Sequence, residues 1–588
     1  MRIERIRGEH LLYITAFGLA LVSRFLALGV APLSDFEAGW AMQALQVSRG
    51  VPTDLGPQPG YVLLTGVVFF IFGSSNALAR LWPALAGSLL IWAPYLFRRR
   101  LGQVAAIILA FGLALDPGLV SLSRLAGGPM FAIGFGLLAA GLVYTRRILL
   151  AGVSTGLALL GGPAVIQGAL GTGLAFSLGR YLEGLGVINN LTPDDAGEIS
   201  TEKVRVGILV GGGTLLLVGT LFFKFPQGLG ALAGIIPAYL GGWMEPSGVP
   251  ASRLLAALVF YQPLALAFGL VAAIRGWVRR SPLSRWMSLW SVVALVMALV
   301  YPGKHVADVA WVSLPLWGLA ALELSRQIQI NNDDYIPALG QAALVTTLLA
   351  LAWLNLAGMT HVAGDPQVFR LRWVVIAGTL ALGVVTTLLV GLGWSAAAAQ
   401  RGLAWGFGAA LGLYTLASLW SITQLHQRSA AELWIPMPVT QDANLLLNTL
   451  EELSEWTTGF DESFDVVVTS QAPSLKWVLR NWPQARFLSS IATGELPSAI
   501  VTAAGQNEPS LKMAYRGQDF IWSLSPAWEG ALPENWLAWL VFREAPLARE
   551  QVILWARGDL FPGGSLFPSS ESDLVDEEEI PLSEGPAE

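Results

Sequence analysis

Residues 11–37, LLYITAFGLALVSRFLALGVAPLSDFE, decide the fold class. The first 20 are almost all apolar, about the length that crosses a bilayer and longer than the apolar core of a signal peptide. They follow the basic start MRIERIRGEH and lead into no small-residue cleavage pattern, so the expectation is a retained first span. One charge, Arg24, sits inside the run, and two carboxylates, Asp35 and Glu37, stand just beyond it. Intramembrane charges face a partner or a wet cavity, which makes Arg24 either a structural mate for that acidic pair or a functional group.

Working outward, the whole chain has the same character. Of its 588 residues 54% are hydrophobic and 13% charged, and mean hydropathy is +0.57, far outside the soluble range. The absence of Cys excludes disulfides and thiolate chemistry, and only four His are available for imidazole roles. Apolar stretches of spanning length recur at about 11–30, 77–97, 103–123, 129–145, 148–163, 165–182, 204–223, 253–274, 284–301, 306–324, 337–358, 372–394 and 402–422, giving about thirteen spans. The basic residues of short loops, Arg98-Arg99-Arg100, Arg146-Arg147, Lys203, Arg205, Arg275, Arg279-Arg280, Arg326 and Arg401, then share the cytoplasmic side. That holds only if 60–72, about 13 apolar residues after Pro57 and Pro59, lies in the outer interface and does not cross. The outer face then receives residues 31–76, the loop 224–252, the segment YPGKH at 301–305, the loop 359–371 and everything after 423.

The fold class expected is mainly α: a polytopic membrane domain over 1–426, a small α/β domain over 427–568 outside the cytoplasm, and an acidic disordered tail over 569–588. In the α/β segment, DANLLLNTLEELSEW reads as an amphipathic helix with Asp442 as N-cap, PSLKWVLRNW as a Pro-led helix, and FDVVVTS, ARFLSS, SAIVTAA and QVILWAR as strands. No phosphate-binding loop, dinucleotide fingerprint or zinc-protease motif occurs there.

After Asp35, the spacing of Phe36, Trp40, Ala44 and Val47 predicts an amphipathic surface helix. On that reading the acids are either helix-capping groups, the commoner case, or functional ones. The run from Arg24 to Gly102 resembles the opening of the GT-C membrane glycosyltransferases, which include the protein O-mannosyltransferases and the lipid A aminoarabinose transferases. It carries an Arg in the first span, a D/E pair in the first outer loop, a Pro-led helix ending at Phe72-Gly73, Ala79-Arg80 leading to Gly87, and a basic cluster before Gly102. The stretches DPGLVSLSRLA (116–126) and YPGKHVADVAWVSLPLWGLAALEL (301–324) are similar to later family motifs.

The resemblance implies a polyprenyl-phosphate-linked sugar donor and a lipid, glycan or protein acceptor on the outer face of a plasma membrane, with no nucleic acid partner. An unactivated hydroxyl attacking an anomeric carbon needs a base, a role given to Asp35 with Glu37 beside it. The phosphate leaving group needs cations, for which Lys304, His305 and Arg124 are the candidates, with Arg24, Asp116, Lys224 and Glu245 as supporting residues. For each the plainer reading is interfacial anchoring, a turn or loop solvation. No metal is expected, although the carboxylate pair would suit a divalent Mg or Mn. Where many relatives carry a second acid after the third-span Arg, this chain reads Gly127-Gly128-Pro129. That departure keeps open a non-catalytic scaffold on the same fold, binding glycan lipid or a partner enzyme. A transporter is a third reading.

Overall fold

The computed structural model describes residues 2–186, 200–329, 332–360, 366–423, 430–434, 438–491, 495–505 and 513–561. The acidic tail expected over 569–588 lies outside them. The chain forms two compact units, Met1–Val439 with Ser525–Ala548 and Thr440–Leu524 with Arg549–Glu588.

The larger unit is helical. Its N-terminal part runs α1 (Arg2–Phe25), α2 (Asp35–Ser48), α3 (Pro59–Phe72), α4 (Asn76–Ala79), α5 (Leu81–Leu89), α6 (Trp92–Leu96), α7 (Arg98–Leu101), α8 (Gln103–Leu115), α9 (Pro117–Ser123) and α10 (Met130–Tyr144). By length and apolarity five described helices can cross a membrane, or up to eight when each of three bent pairs counts as one. The chain is thus a multi-pass membrane protein, but this measure does not reach thirteen. Some expected spans are short helices, such as Leu81–Leu96 and Met130–Tyr144, and others are broken at proline. The stretch 103–123 breaks by 56° at Asp116-Pro117, 251–278 breaks by 93° at Gln262-Pro263, and 148–184 breaks by 120° before Pro163. A proline disfavours the α conformation in the residue before it and supplies no N–H to the turn behind. Hydropathy reads straight through such a break.

Helix α3 matches the expected Pro-led element, with Pro59 in the first turn and Gly73 ending it at φ +81. It is buried over most of Pro59–Phe69, while Phe70, Ile71 and Phe72 are exposed. Helix α2 buries Ala38, Ala41, Ala44, Leu45 and Val47; Phe36 and Trp40, expected on the apolar stripe, are only half-buried. The expected outer loop 224–252 is largely helical, with helices Gln227–Ala233 and Ile235–Met244.

The smaller unit is built on a mixed sheet of β1 (Val439–Thr440), β2 (Val466–Val468), β3 (Ala485–Phe487), β4 (Ala499–Ala503), β5 (Tyr515–Pro526) and β6 (Leu547–Arg557), in the order β1-β5-β6-β4-β2-β3. Strand β2 pairs in parallel with β3 and β4, and β4 pairs antiparallel with β6. The helix Ala443–Thr458 places Leu446, Leu450 and Leu453 in one core with Val466, Val468 and Phe520. Asp442 does not cap that helix with its side chain; its Oδ2 accepts the Ile521 N–H at 2.9 Å.

Candidate functional site

The site begins where α1 stops. Pro117 has no N–H to offer the carbonyl four residues back, so the α8–α9 break leaves Leu113 O and Ala114 O needing donors. Arg24 supplies both, at 3.1 Å each, and its Nε donates to Ser123 Oγ at 3.1 Å. Asp116, fully buried at the break, caps α9 through Leu119 N–H at 2.7 Å and accepts the Trp317 indole N–H at 2.7 Å. It lies within electrostatic reach of Arg24 without touching it. Arg24 is therefore not the ion-pair mate of Asp35 or Glu37. Gly87 has to be glycine, because a Cβ there would stand 2.1 Å from Ser123 Oγ and 2.9 Å from Arg24 Nε.

Arg124 performs the same service for the end of α1. Its Nη1 donates to Leu26 O at 2.7 Å and Arg24 O at 3.1 Å. Cationic donors suit the last turn of a helix, where carbonyls are orphaned and the dipole is negative. Burial, with Arg80 nearby, pushes Arg124 down to about 10, so it remains charged at neutral pH.

Arg80 continues the series, donating to Leu28 O, Ala31 O and Pro32 O at 2.8–3.1 Å. Its other donors make a two-pronged ion pair with Glu37, Nε to Oε1 and Nη2 to Oε2, both 2.7 Å. Glu37 also accepts Ala126 N–H at 3.0 Å and Ser34 N–H at 3.1 Å. Burial alone would raise this carboxyl, but Arg80 and the two backbone donors outweigh it and hold the group below the usual carboxylate range. Each Glu37 oxygen already has at least two donors. Glu37 thus ties α2, Arg80 and residue 126 together with both of its oxygens engaged.

The helix-capping reading also resolves. The cap of α2 is Ser34, whose Oγ accepts Glu37 N–H while Glu37 reaches back to Ser34 N–H. Asp35 occupies the exposed first turn instead. Three arginines and one buried glutamate thus fix residues 20–37, and Asp35 is presented at their end.

At Gly127, φ is +71 and a Cβ would stand 2.3 Å from Trp40 Cδ1. At the six-membered ring of the same indole, a Cβ on Gly56 would be 2.6 Å from Trp40 Cζ3. Gly127, in the stretch where the resemblance leads one to expect a second acid, is packed against a tryptophan ring here.

Lys304 and His305 belong to a second cluster, the turn between helices Pro282–Val300 and Ala310–Gln327. Lys304 Nζ donates to Tyr301 O at 3.4 Å, and Ser247 N–H donates to Pro302 O at 3.1 Å. The Tyr239 and Tyr301 rings stack at 5.1 Å beside Trp243. The exposed His305 donates its backbone N–H to Asp308 Oδ2 at 2.9 Å. Glu245 is exposed two residues from the Ser247 tie, and Lys224 is exposed 5.9 Å from the Phe225 ring centroid. Arg24, Arg124, Asp116 and Glu37 come together around the α1 terminus; Lys304, His305 and the Glu245 segment form the other group. Among the described residues no three His, Asp or Glu side chains cluster as metal ligands.

No family model and no curated protein matches the sequence. Solved structures do. ArnT from Cupriavidus metallidurans bound to undecaprenyl phosphate aligns over 93% of this chain and 98% of its own, at 15% identity and a TM-score of 0.51. This chain shares the fold of that ArnT. The apo form of the same ArnT aligns at 15% identity over 94% and 98% of the two chains, with a TM-score of 0.48. The Archaeoglobus fulgidus oligosaccharyltransferase in complex with zinc and sulfate covers 60% of this chain and 56% of its own, at 16% identity and 0.34. The GT-C resemblance seen in the sequence acquires physical content in this fold, since its Arg80 is the partner of Glu37 and its Gly87 makes room for Arg24. Arg80 carries no assigned role in the sequence, although it is the first basic residue inside an apolar run after the acidic pair.

Proposed function

We propose that the protein is a glycosyltransferase moving a sugar from a polyprenyl-phosphate carrier to a hydroxyl presented on the outer side of the membrane. The observation that carries this is the clamp: Glu37, Arg80 and Ala126 N–H fix the start of α2 and leave Asp35 exposed at its first turn. In the reaction Asp35 takes the acceptor proton as the acceptor oxygen attacks the anomeric carbon. The bond from that carbon to the phosphate oxygen breaks, and the carrier phosphate departs with the electron pair. A single displacement of this kind inverts the anomeric centre. Lys304 and His305 hold the phosphate in this reading, while Arg124, committed to the carbonyls of α1, acts by holding the scaffold. The α/β unit lies on the outer side.

The test is transfer of labelled sugar from a polyprenyl-phosphate donor by protein in lipid nanodiscs. Asp35→Asn should lower transfer by about 10²–10⁴-fold, the usual contribution of a general base, with unchanged thermal stability. Lys304→Gln should weaken donor binding. Wild-type protein that binds donor but transfers from none would favour the non-catalytic scaffold, the reading that Gly127 against Trp40 keeps in view.

A further inference from the structure

Away from Asp35, the helical unit encloses a cavity of about 410 Å³, within the range of roughly 300–1,000 Å³ typical of ligand sites. Phe97, Arg100, Gly136, Trp286, Trp290 and Trp311 are among its walls, and among the described residues Arg100 is the one charged residue in the lining. The hydroxyls in the lining are already committed, Thr155 to Ala151 O at 2.8 Å and Thr172 to Gly168 O at 2.7 Å. Apart from Arg100 and the indoles of Trp286, Trp290 and Trp311, the lining among the described residues offers only apolar surface, which suits hydrocarbon. Leu159, 38% exposed, carries the lining to the lipid-facing surface. At the polar end the Arg100 guanidinium stands 5.9 Å from the Trp286 ring centroid, an arrangement suited to the headgroup level.

Position separates the Arg100 end of this cavity from the Asp35 site, although its far wall reaches Leu113, whose carbonyl accepts from Arg24. The neighbouring Arg98 pairs with Glu9 at 3.4 Å near the start of α1, whereas Arg24 marks its end. Those two points are about 22 Å apart at 1.5 Å per helical residue. Arg98, Arg99 and Arg100 together give the near end a positive face.

From a dry cavity open to lipid with one cation at its mouth, we infer that it is a binding site for one acyl chain of an anionic phospholipid, the headgroup held at Arg100. The headgroup end at Arg100 is distinct from the proposed donor phosphate site, and the inference does not depend on the transferase reading. A Cβ on Gly136 meets nothing nearer than Ala158 Cβ at 4.0 Å, so a large side chain there would grow into the empty space.

The experiment is native mass spectrometry of the full-length protein, delipidated and then titrated with phosphatidylglycerol, phosphatidylcholine or undecaprenyl phosphate. Wild type should retain one phosphatidylglycerol. Gly136→Phe and Ala140→Phe should each weaken that retention by about tenfold or more, and Arg100→Gln should erase the preference over phosphatidylcholine. Retention unchanged in both filled variants would overturn the site, and displacement by equimolar undecaprenyl phosphate would overturn the phospholipid assignment. Should both variants misfold, phosphatidylglycerol with brominated chains offers an independent reading. It should quench wild-type fluorescence more than that of Trp290→Phe, and equal quenching would count against the proposal.

Discussion

Among the described residues the larger unit has three glutamate–arginine pairs with a buried glutamate, and two of them, Glu37–Arg80 and Glu432–Arg543, are built differently. Glu37 and Arg80 meet through two bonds of 2.7 Å, and Arg80 also donates to the backbone carbonyls of Leu28, Ala31 and Pro32. Glu432 and Arg543 approach only to 3.4 Å. There the carboxylate accepts instead from the Tyr261 and Ser421 hydroxyls, and the guanidinium lies 4.5 and 5.1 Å from the Trp539 and Tyr261 ring centroids. The first pair organises irregular backbone, which needs donors that helices cannot give. The second fastens the helix Trp536–Phe542 by its rings, with Trp539 Nε1–H donating to Ala431 O at 2.8 Å. A forked ion pair fixes direction as well as position, and a ring stack leaves direction freer.

The comparison breaks if the two glutamates prove interchangeable in their cost. Glu37→Gln should be the largest loss, about 3–5 kcal/mol, because it leaves Arg80 buried without its charge partner. The reading is the denaturant midpoint in detergent. Glu432→Gln should cost less, about 1.5–3 kcal/mol, the value of hydrogen bonds to a charged group, since both rings still face Arg543. Equal costs would mean that the fork adds nothing. Gly127→Ala should lose about 1–3 kcal/mol from its positive φ and the Trp40 contact, whereas Gly128→Ala, whose Cβ first meets the movable Leu125 side chain at 3.2 Å, should be nearly neutral.

Acidity sharpens the contrast further. The folded Glu37 carboxyl titrates below its ordinary value of 4.5, so its contribution is present above that pH and is lost as pH falls through the lower folded value. The gap in melting temperature between wild type and Glu37→Gln should stay constant from about pH 7 to 5 and close below about pH 4. A gap that persists at low pH would show that packing, and not charge, makes the clamp.

Much of the layout was legible in the sequence because it is local. The Pro59 start and Gly73 stop of α3, and the apolar strands β2, β4 and β6, are written in neighbouring residues. What escaped reading depends on partners far along the chain. Arg80 is 43 residues from Glu37, and Trp40 is boxed by glycines at 56 and 127. Strand β5 escaped because its first half, Tyr515–Asp519, is polar and mostly exposed and breaks the apolar signal. The bends at Asp116-Pro117 and Gln262-Pro263 were visible as letters, but composition averaged over a span conceals them. At the Asp35 end, the acidic pair was legible as a pair, and its division of labour was not, since only the fold shows which carboxylate has been spent on arginine.

Arg24 has a consequence for the order in which the protein is made. The carbonyls and hydroxyl that satisfy it lie 89–99 residues later in the chain. At about 5–20 residues per second, synthesis leaves the guanidinium waiting roughly 4–20 s for them. During that interval only Ala20 O and Ser23 Oγ of its own helix are within its reach. The first helix therefore enters the bilayer carrying an unpaid charge, and its settling is timed by the arrival of a proline.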